Sequence, residues 1–336
     1  KMPLPTAAGR FLWNIFANIH NNAYFCKYIL KKIMEKETVR QNSAKAWMLA
    51  ARPKTLSGAA VPVMIGLALA YSDAAGSGLA FDWTAAALCF LFAMIMQIDA
   101  NFINDYFDFI KGTDDTEKRL GPRRACAQGW VKPRSMRYAI ALTTIAACVA
   151  GLPLIFYGGV EMILVGAVCV VFCFLYTTYL SYVGLGDVLV LVFFGLVPVC
   201  ITYYIQLHTC TWEVLAASVS CGLVIDCLLL VNNYRDRDTD REAGKNTLVV
   251  RVGAHCGRML YLCRGLTACL LGAVSAFAGH PLAFALPLLA YLPLHVLTYR
   301  RIVRINKGKA LNACLGETAR NILVYGIAVS AGVLII

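Results

Sequence analysis

Charged side chains are scarce in this sequence, making up 15% of its 336 residues, whereas apolar residues make up 59%. Soluble globular chains are about one quarter charged, so this composition excludes an ordinary water-soluble enzyme. It also excludes a disordered or fibrous chain, which would lack long apolar stretches. The 14 cysteines include no Cys-x-x-Cys pair, which argues against a zinc ribbon or a dithiol redox centre.

Long apolar runs make up most of the sequence after its first 54 residues. A bilayer crossing needs about 20 mostly apolar residues, and the alternating pattern of a membrane β-barrel is missing. The sequence therefore predicts an all-α, polytopic membrane protein with nine transmembrane spans. The runs lie at 55–72, 84–103, 136–157, 160–181, 188–206, 212–233, 258–279, 281–299 and 319–336.

The net charge of +12 follows the predicted topology. All but one of the Lys and Arg residues lie in the first 54 residues or in and beside the connections after the second, sixth and eighth spans; the exception is Arg264. Basic residues mark cytoplasmic loops, so we expect a cytoplasmic N-terminus and an external C-terminus in the cell (inner) membrane. The charge is a topology signal and does not indicate a nucleic-acid partner.

The first 50 residues form a cytoplasmic leader ahead of the domain predicted for 51–336. Residues 11–33 mix aromatic and Lys side chains, which is typical of an interfacial helix. The alternative is a dispensable extension in front of the working protein.

Acidic residues break the apolar pattern at two places, where the second and sixth spans end. Charge beside a membrane span is costly and indicates function. At a spacing of i, i+4 two side chains share one helix face. Three pairs of oxygen-bearing side chains have this spacing: Asn101 with Asp105, Asn104 with Asp108, and Asp236 with Asp240.

These oxygen donors suit Mg²⁺, which binds few carboxylates and keeps water or phosphate oxygens. Basic residues interleaved with them can hold a diphosphate. The alternatives are solvated helix ends of mixed charge and a divalent-cation transporter, although transporters place such groups near the bilayer midplane. The interleaved basic residues are Lys111, Lys118, Arg119, Arg123, Arg124, Arg235 and Lys245.

The two acidic segments resemble the paired aspartate motifs of the UbiA superfamily of intramembrane prenyltransferases. Within it, the sequence is most similar to the 1,4-dihydroxy-2-naphthoate polyprenyltransferase branch of menaquinone biosynthesis. The resemblance runs from about residue 50 to the C-terminus. It is carried by ARPKTL (51–56), NDYFDFIKGTD (104–114), GLGDVLVLVFFG (184–195), NNYRDRDTDREAGKNTLVVRVG (232–253) and LNACLGETAR (311–320).

The resemblance implies a nine-helix bundle around a central cavity and assigns roles to individual residues. Implied metal ligands are Asn104, Asp105, Asp108, Asp114, Asp236 and Asp240. Implied catalytic residues are Asp108, Asp236, Asp240 and Asp187. Implied substrate-binding residues are Arg52, Asn101, Arg134, Arg235 and Lys245.

Some of these roles have competing explanations. The alternative for Arg52 and Arg134 is that they are topology anchors, whose charged ends snorkel to the membrane surface. The alternative for Asp187 is that it caps the N-terminus of a helix. Where many superfamily members place a third acid, this chain has Gly112, and Asp114 follows two residues later.

The implied reaction is Mg²⁺-dependent transfer of a polyprenyl group from polyprenyl diphosphate to 1,4-dihydroxy-2-naphthoate, with loss of CO₂, giving demethylmenaquinol. The head of the donor would bind at the two aspartate motifs, and its tail would lie between helices in a space that is open to the lipid bilayer. The alternative within the same fold is prenyl transfer to another aromatic acceptor, 4-hydroxybenzoate or homogentisate.

Overall fold

The computed structural model describes residues 39–112 and 119–335, and all secondary structure in these ranges is helical. A short helix, α1 (Ala44–Ala51), precedes a series of long ones. These are α2 (Ser57–Ser77), α3 (Trp83–Ile110), α4 (Pro133–Gly158), α5 (Glu161–Leu180), α6 (Gly186–Leu207), α7 (Trp212–Glu242), α8 (Leu248–Phe277), α9 (Pro281–Ile305) and α10 (Asn312–Leu334).

Within the described ranges, eight helices, α2 to α9, are long and apolar enough to cross a membrane. This confirms the all-helical, multi-pass architecture. The predicted ninth span corresponds to α10, which has 23 residues but carries Glu317, Arg320 and Asn321 in its first half. These polar groups lower its mean hydropathy, which is a minor difference from the prediction.

Side-chain caps fix where several helices begin. Ser43, Asp82, Thr211 and Thr247 precede α1, α3, α7 and α8, and each accepts a hydrogen bond from the backbone N–H three residues later. Such caps satisfy N–H groups that have no partner inside the helix.

Glycines allow the central helices to approach closely. A β-carbon at Gly66 of α2 would lie 2.7 Å from the carbonyl oxygen of Val199 in α6, and one at Gly195 of α6 would lie 2.6 Å from that of Ser218 in α7. Small residues are the usual means of close packing between membrane helices. Together with α10, these three helices supply most of the largest buried cluster.

The outer helices leave more of their surface uncovered. Only 6% of the apolar stretch of α5 is buried within the protein, against 67% for α7. Apolar side chains exposed to this extent are stable where they face lipid. We therefore place α5 at the lipid-facing periphery and α7 at the centre of the bundle.

Three of the long helices contain a π-helical turn, at Tyr176–Leu180 in α5, Val192–Leu196 in α6 and Pro287–Tyr291 in α9. Such turns are rare and frequently occur at functional sites. The first two border the cavity described below.

The end of the predicted leader belongs to the folded body. Ala46 and Ala50 of α1 are fully buried in a cluster with Phe102 and Ile103 of α3. The proposed domain boundary at residue 50 therefore falls inside a packed helix. The interfacial helix predicted for 11–33 lies outside the described residues.

Candidate functional site

A cavity of about 1370 Å³ lies among α2 to α7. These helices alternate in direction, so the beginnings of α2, α4 and α6 meet the ends of α3, α5 and α7 at one face of the bundle. Polar lining residues cluster toward that face, whereas Phe92, Leu152, Ile163 and Ile205 line the cavity toward the opposite face. The charged lining residues and two asparagines of α3 are Arg52, Lys54, Asn101, Asn104, Asp108, Arg119, Arg123, Arg124, Asp187, Asp236, Asp240 and Lys245.

Asn104 and Asp108 lie one turn apart on α3 and both border the cavity. The Thr177 hydroxyl donates to Asn104 Oδ1 at 2.5 Å, which ties α3 to the π-helical turn of α5. Arg124 Nη2 lies 3.3 Å from Asp108 Oδ2 and donates to it. The shared face predicted from their spacing therefore holds, and a basic loop residue reaches it.

Asp105 has a different environment from these neighbours. Its side chain is 1% exposed, and its two carboxylate oxygens accept the backbone N–H groups of Ala125 and Cys126, both at 2.8 Å. The carboxylate thus holds the basic loop 119–131 against α3. Asp105 does not line the cavity, and its implied role as a metal ligand stays a prediction.

Arg52 joins α1 to α2 in the left-handed backbone conformation, with φ of 50°, which is uncommon for a residue with a side chain. Asn101 holds this bend because its Nδ2 donates to the Ala51 carbonyl at 2.9 Å and to Thr55 Oγ1 at 3.0 Å. Arg52 Nη2 donates to the Asn101 carbonyl at 3.3 Å and lies 4.0 Å from the Asp105 carboxylate. Both predicted substrate-binding residues therefore border the cavity.

At the end of α7, Asp236 and Asp240 both line the cavity, as their spacing predicts. Arg235 grips Asp236 with two hydrogen bonds, from Nε at 2.7 Å and from Nη2 at 2.5 Å. It also donates to the side chains of Asn232 and Asn312. Arg235 is 2% exposed and lies behind the cavity wall, so its described contact with the site is through Asp236, and its substrate-binding role stays a prediction.

Two lysines approach one aromatic ring beside the acidic groups. The Nζ atoms of Lys111 and Lys245 lie 4.3 Å and 4.8 Å from the centre of the Tyr182 ring, which is cation–π distance. Lys111 Nζ also donates to the carbonyl oxygens of Thr177 and Thr178 at 3.3 and 2.6 Å. Burial lowers the pKa of the Lys111 ammonium, with Asp108 opposing that effect.

Asp187 lies in the first turn of α6 and borders the cavity. Its side chain does not cap the helix, so the N-cap alternative is wrong. Instead Arg264 Nη2 of α8 donates to Asp187 Oδ1 at 2.8 Å, and Arg264 Nη1 lies 2.7 Å from Asp226 Oδ2. The one basic residue that the topology did not explain is thus paired with two acids.

Three of the predicted site residues that the structure describes, Asp105, Arg134 and Arg235, do not line the cavity. Arg134 is exposed at the start of α4 and does not line the cavity, which agrees with the anchor alternative. Asp114 lies outside the described residues.

Several lining residues were not singled out by the sequence. Thr177, Asn232 and Asn233 border the cavity, and Asn312 donates to the Leu120 carbonyl at 2.8 Å. Asn232 and Asn233 directly precede the second acidic segment, so their position in the motif was a signal that could have predicted them as lining residues. Asn312 lies in the quoted segment 311–320, whereas Thr177 lies in none of the quoted segments.

The polar end of the cavity suits a magnesium-bound anion. Among the described residues no three His, Cys, Asp or Glu side chains lie close enough together to enclose an ion. Mg²⁺ is usually held by one or two carboxylates, with phosphate oxygens and water completing its shell. Asn104, Asp108, Asp236 and Asp240 meet that requirement, and six basic against four acidic lining residues favour binding of an anion.

Comparisons with known proteins agree with this geometry. The model of the UbiA prenyltransferase family matches residues 59–320. The 1,4-dihydroxy-2-naphthoate octaprenyltransferase of Escherichia coli (strain K12) is 34% identical over 300 residues, covering 86% of this chain and 95% of that protein. The protein of the same name from Haemophilus influenzae is 35% identical over 261 residues, covering 75% of this chain and 80% of the relative.

A similar fold is found in a solved structure. The UbiA homolog from Archaeoglobus fulgidus bound to DMAPP and Mg²⁺ superposes with a TM-score of 0.56 at 13% identity, covering 85% of this chain and 99% of that one.

Proposed function

Since the chain belongs to the UbiA prenyltransferase family, we propose that it transfers a polyprenyl group from polyprenyl diphosphate to 1,4-dihydroxy-2-naphthoate, giving demethylmenaquinol. The observation that carries this proposal is that both acidic helix ends open onto one cavity with a polar and an apolar end. Relatives at 34 and 35% identity that bear the name of this activity support the choice of acceptor.

In the proposed complex the diphosphate lies at the polar end. Asn104, Asp108, Asp236 and Asp240 would hold Mg²⁺, which neutralises charge on the diphosphate leaving group when bound. Arg119, Arg123 and Arg124 line the same end and bind the remaining phosphate oxygens through charge-assisted hydrogen bonds.

The prenyl tail extends into the apolar end of the cavity. Side chains of α3 to α6 line this part, among them Phe92, Leu152 and Ile163. The peripheral position of α5 lets a long tail continue into the surrounding lipid. Apolar walls also exclude water from the reacting carbon, which protects an allylic cation from hydrolysis.

For the prenyl transfer itself, the protein contributes charged groups that stabilise the leaving diphosphate and a cavity that positions the two substrates. The bond between the allylic carbon and the diphosphate oxygen breaks, and the leaving group keeps the electron pair. The electron-rich ring forms a bond to that carbon, and loss of its carboxylate as CO₂ returns an electron pair to the ring. Basic residues at the polar end stabilise the charge that develops on the leaving group.

We place the aspartate-rich helix ends and the N-terminus at the cytoplasmic face of the cell (inner) membrane, because basic residues mark cytoplasmic loops. We further propose that the residues from α1 onward form one prenyltransferase domain. The packing of Ala46 and Ala50 against α3 supports including α1 in it.

The proposal is tested by product analysis with the full chain in lipid nanodiscs. A mixture of prenyl diphosphates, Mg²⁺ and a panel of 1,4-dihydroxy-2-naphthoate, 4-hydroxybenzoate and homogentisate is supplied, and products are identified by mass spectrometry. We expect decarboxylated prenyl products of the naphthoate alone. Products from another acceptor only would contradict the proposal.

Variants link that activity to the site. Asp108→Asn and Asp236→Asn should each lower turnover about 100-fold or more, because charge stabilisation at the leaving group is lost. Asp99→Asn is the matched control: Asp99 is a buried acid of α3 that accepts hydrogen bonds from Thr143 and Thr144 and does not line the cavity. Full activity in both site variants would refute the assignment.

A further inference from the structure

The interior of the bundle contains a charged triad that the proposed diphosphate site does not use. Arg264 of α8 lies between Asp187 and Asp226, with N···O distances of 2.8 and 2.7 Å. The three side chains are between 4 and 11% exposed. Charged groups buried in membrane spans are costly and mark function by default.

The triad combines two carboxyl groups with one guanidinium. Asp226 is the more deeply buried acid, and its Oδ1 has no hydrogen-bond partner among the described residues. Asp187 borders the cavity; its Oδ1 accepts from Arg264, whereas no described donor reaches its Oδ2. An ion pair therefore holds a carboxyl group at the cavity wall, and one of its two oxygens accepts no hydrogen bond from the described residues.

The position of the triad separates it from the diphosphate site. Asp226 precedes Asp236 by ten residues on α7, which corresponds to about 15 Å along the helix. Asp108, Tyr176 and Asp187 all line the same cavity, so the two sites face one continuous space. The triad thus lies beyond the phosphate groups, toward the apolar end.

The walls around Asp187 suit a flat ring. A β-carbon at the neighbouring Gly186 would lie 3.3 Å from Leu229 Cδ2 and 3.8 Å from the Tyr176 ring. Tyr176 and Leu229 also line the cavity. An aliphatic and an aromatic side chain beside a carboxyl group at the cavity wall are the elements of a site for a hydroxylated aromatic compound.

We propose that Asp187 binds a ring hydroxyl of the aromatic acceptor through Oδ2, and that Arg264 and Asp226 are positioning residues which hold Asp187 in that orientation. This inference rests on the proposed function. The guanidinium of Arg264 is already paired with two carboxyl groups, so it does not serve as a binding group for a diphosphate.

Kinetics of the full chain in nanodiscs test the inference. Asp187→Asn and Asp226→Asn should raise the KM for 1,4-dihydroxy-2-naphthoate about 10- to 100-fold, the usual effect of losing a hydrogen bond to a charged group. The KM for polyprenyl diphosphate and the Mg²⁺ half-saturation should stay within about twofold of wild type. Arg264→Lys should restore part of what Arg264→Gln loses.

Acceptor analogues identify the contact itself. Two competitive inhibitors are compared, 1-hydroxy-2-naphthoate and 4-hydroxy-2-naphthoate, each lacking one of the two hydroxyls. For the analogue without the contacted hydroxyl, the inhibition constants of wild type and Asp187→Asn should agree within about twofold, because the substitution removes nothing that this analogue uses. Equal effects of Asp187→Asn on both analogues and on the acceptor would overturn the inference.

A purely structural role is separated by two controls. Asp99→Asn removes a buried acid elsewhere in the bundle and should leave the acceptor KM unchanged. The double variant Asp226→Leu with Arg264→Leu replaces the buried pair by apolar side chains, which often preserves stability. It should keep its thermal stability and still bind the acceptor weakly; wild-type acceptor affinity in this variant would overturn the positioning role.

Fluorescence titration of dihydroxynaphthoate against the protein reports binding without turnover. If the wild type binds it in an Asp187-dependent manner but forms no product, the proposed function fails and the inference stands. If turnover is normal but binding is the same in Asp187→Asn, the inference fails and the proposed function stands.

Discussion

The substitution Asp105→Asn distinguishes between two roles for Asp105, a ligand of Mg²⁺ and a residue that holds the loop 119–131 against α3. A metal ligand would be lost or weakened at the Mg²⁺ site. In the structure, however, the carboxylate accepts the N–H groups of Ala125 and Cys126 at 2.8 Å each. The substitution should therefore act on the loop 119–131, which supplies Arg119, Arg123 and Arg124 to the cavity.

The size of the effect follows from these contacts. A hydrogen bond to a charged group contributes about 1.5–3 kcal/mol. Asn keeps one oxygen acceptor but turns an amide N–H₂ toward the second backbone N–H, so one bond is lost and a buried donor is left unpaired. We expect a loss of about 2–4 kcal/mol in the stability of the loop attachment, without the creation of a cavity.

Two measurements on Asp105→Asn in nanodiscs check this reasoning. Because the loop carries the basic residues, the KM for polyprenyl diphosphate should rise at least about tenfold, and thermal stability should fall by several degrees. The Mg²⁺ half-saturation, measured at saturating donor, should change by less than about twofold. A large shift in Mg²⁺ dependence with unchanged stability would refute the clamp and restore Asp105 as a metal ligand.

Three further predictions follow from the lining of the cavity. Gly166 lines the apolar end of the cavity, and a β-carbon added there meets nothing within 4 Å. Gly166→Phe should therefore lower turnover of long prenyl donors about tenfold and leave turnover of short donors unchanged. Gly76→Phe, outside the cavity, is the control, and equal losses for all donors would contradict the proposed position of the tail. Arg235→Lys keeps the positive charge but loses the planar guanidinium that donates two hydrogen bonds to Asp236. The donor KM and the Mg²⁺ half-saturation should both rise about tenfold in the same nanodisc assay. Wild-type values of both would show that Asp236 does not need these two hydrogen bonds. Arg134→Ala should leave turnover within about twofold of wild type, since Arg134 lies outside the cavity; a tenfold loss would return it to the substrate site.

The architecture could be predicted from the sequence because the membrane imposes it. Lipid offers no hydrogen bonds to the backbone, so long apolar runs can only be helices, and the predicted runs correspond to α2 to α10 with shifted ends. The positions of Asp108, Asp236 and Asp240 on the cavity wall could also be predicted. Each lies at the end of a helix and shares a face with a polar residue one turn away.

The individual roles could not be predicted, because they depend on contacts between distant segments. Asp105 and Asp108 look alike in the motif, yet a loop 20 residues farther along the chain occupies the carboxylate of Asp105. Arg235 lies behind the cavity wall because Asn312, 77 residues away, accepts a hydrogen bond from it. Arg264 was visible as an exception to the charge pattern, but nothing in the sequence connected it with Asp187.

The two unlike ends of the cavity have a consequence for how the products depart. Under the proposed function, each turnover yields a small, highly water-soluble anion and a lipid that is nearly insoluble in water. The first can leave through the polar end among the helix termini, while the second can slide sideways past α5 into the bilayer. The two products then never compete for one exit, and the quinol is delivered directly to the phase in which it dissolves.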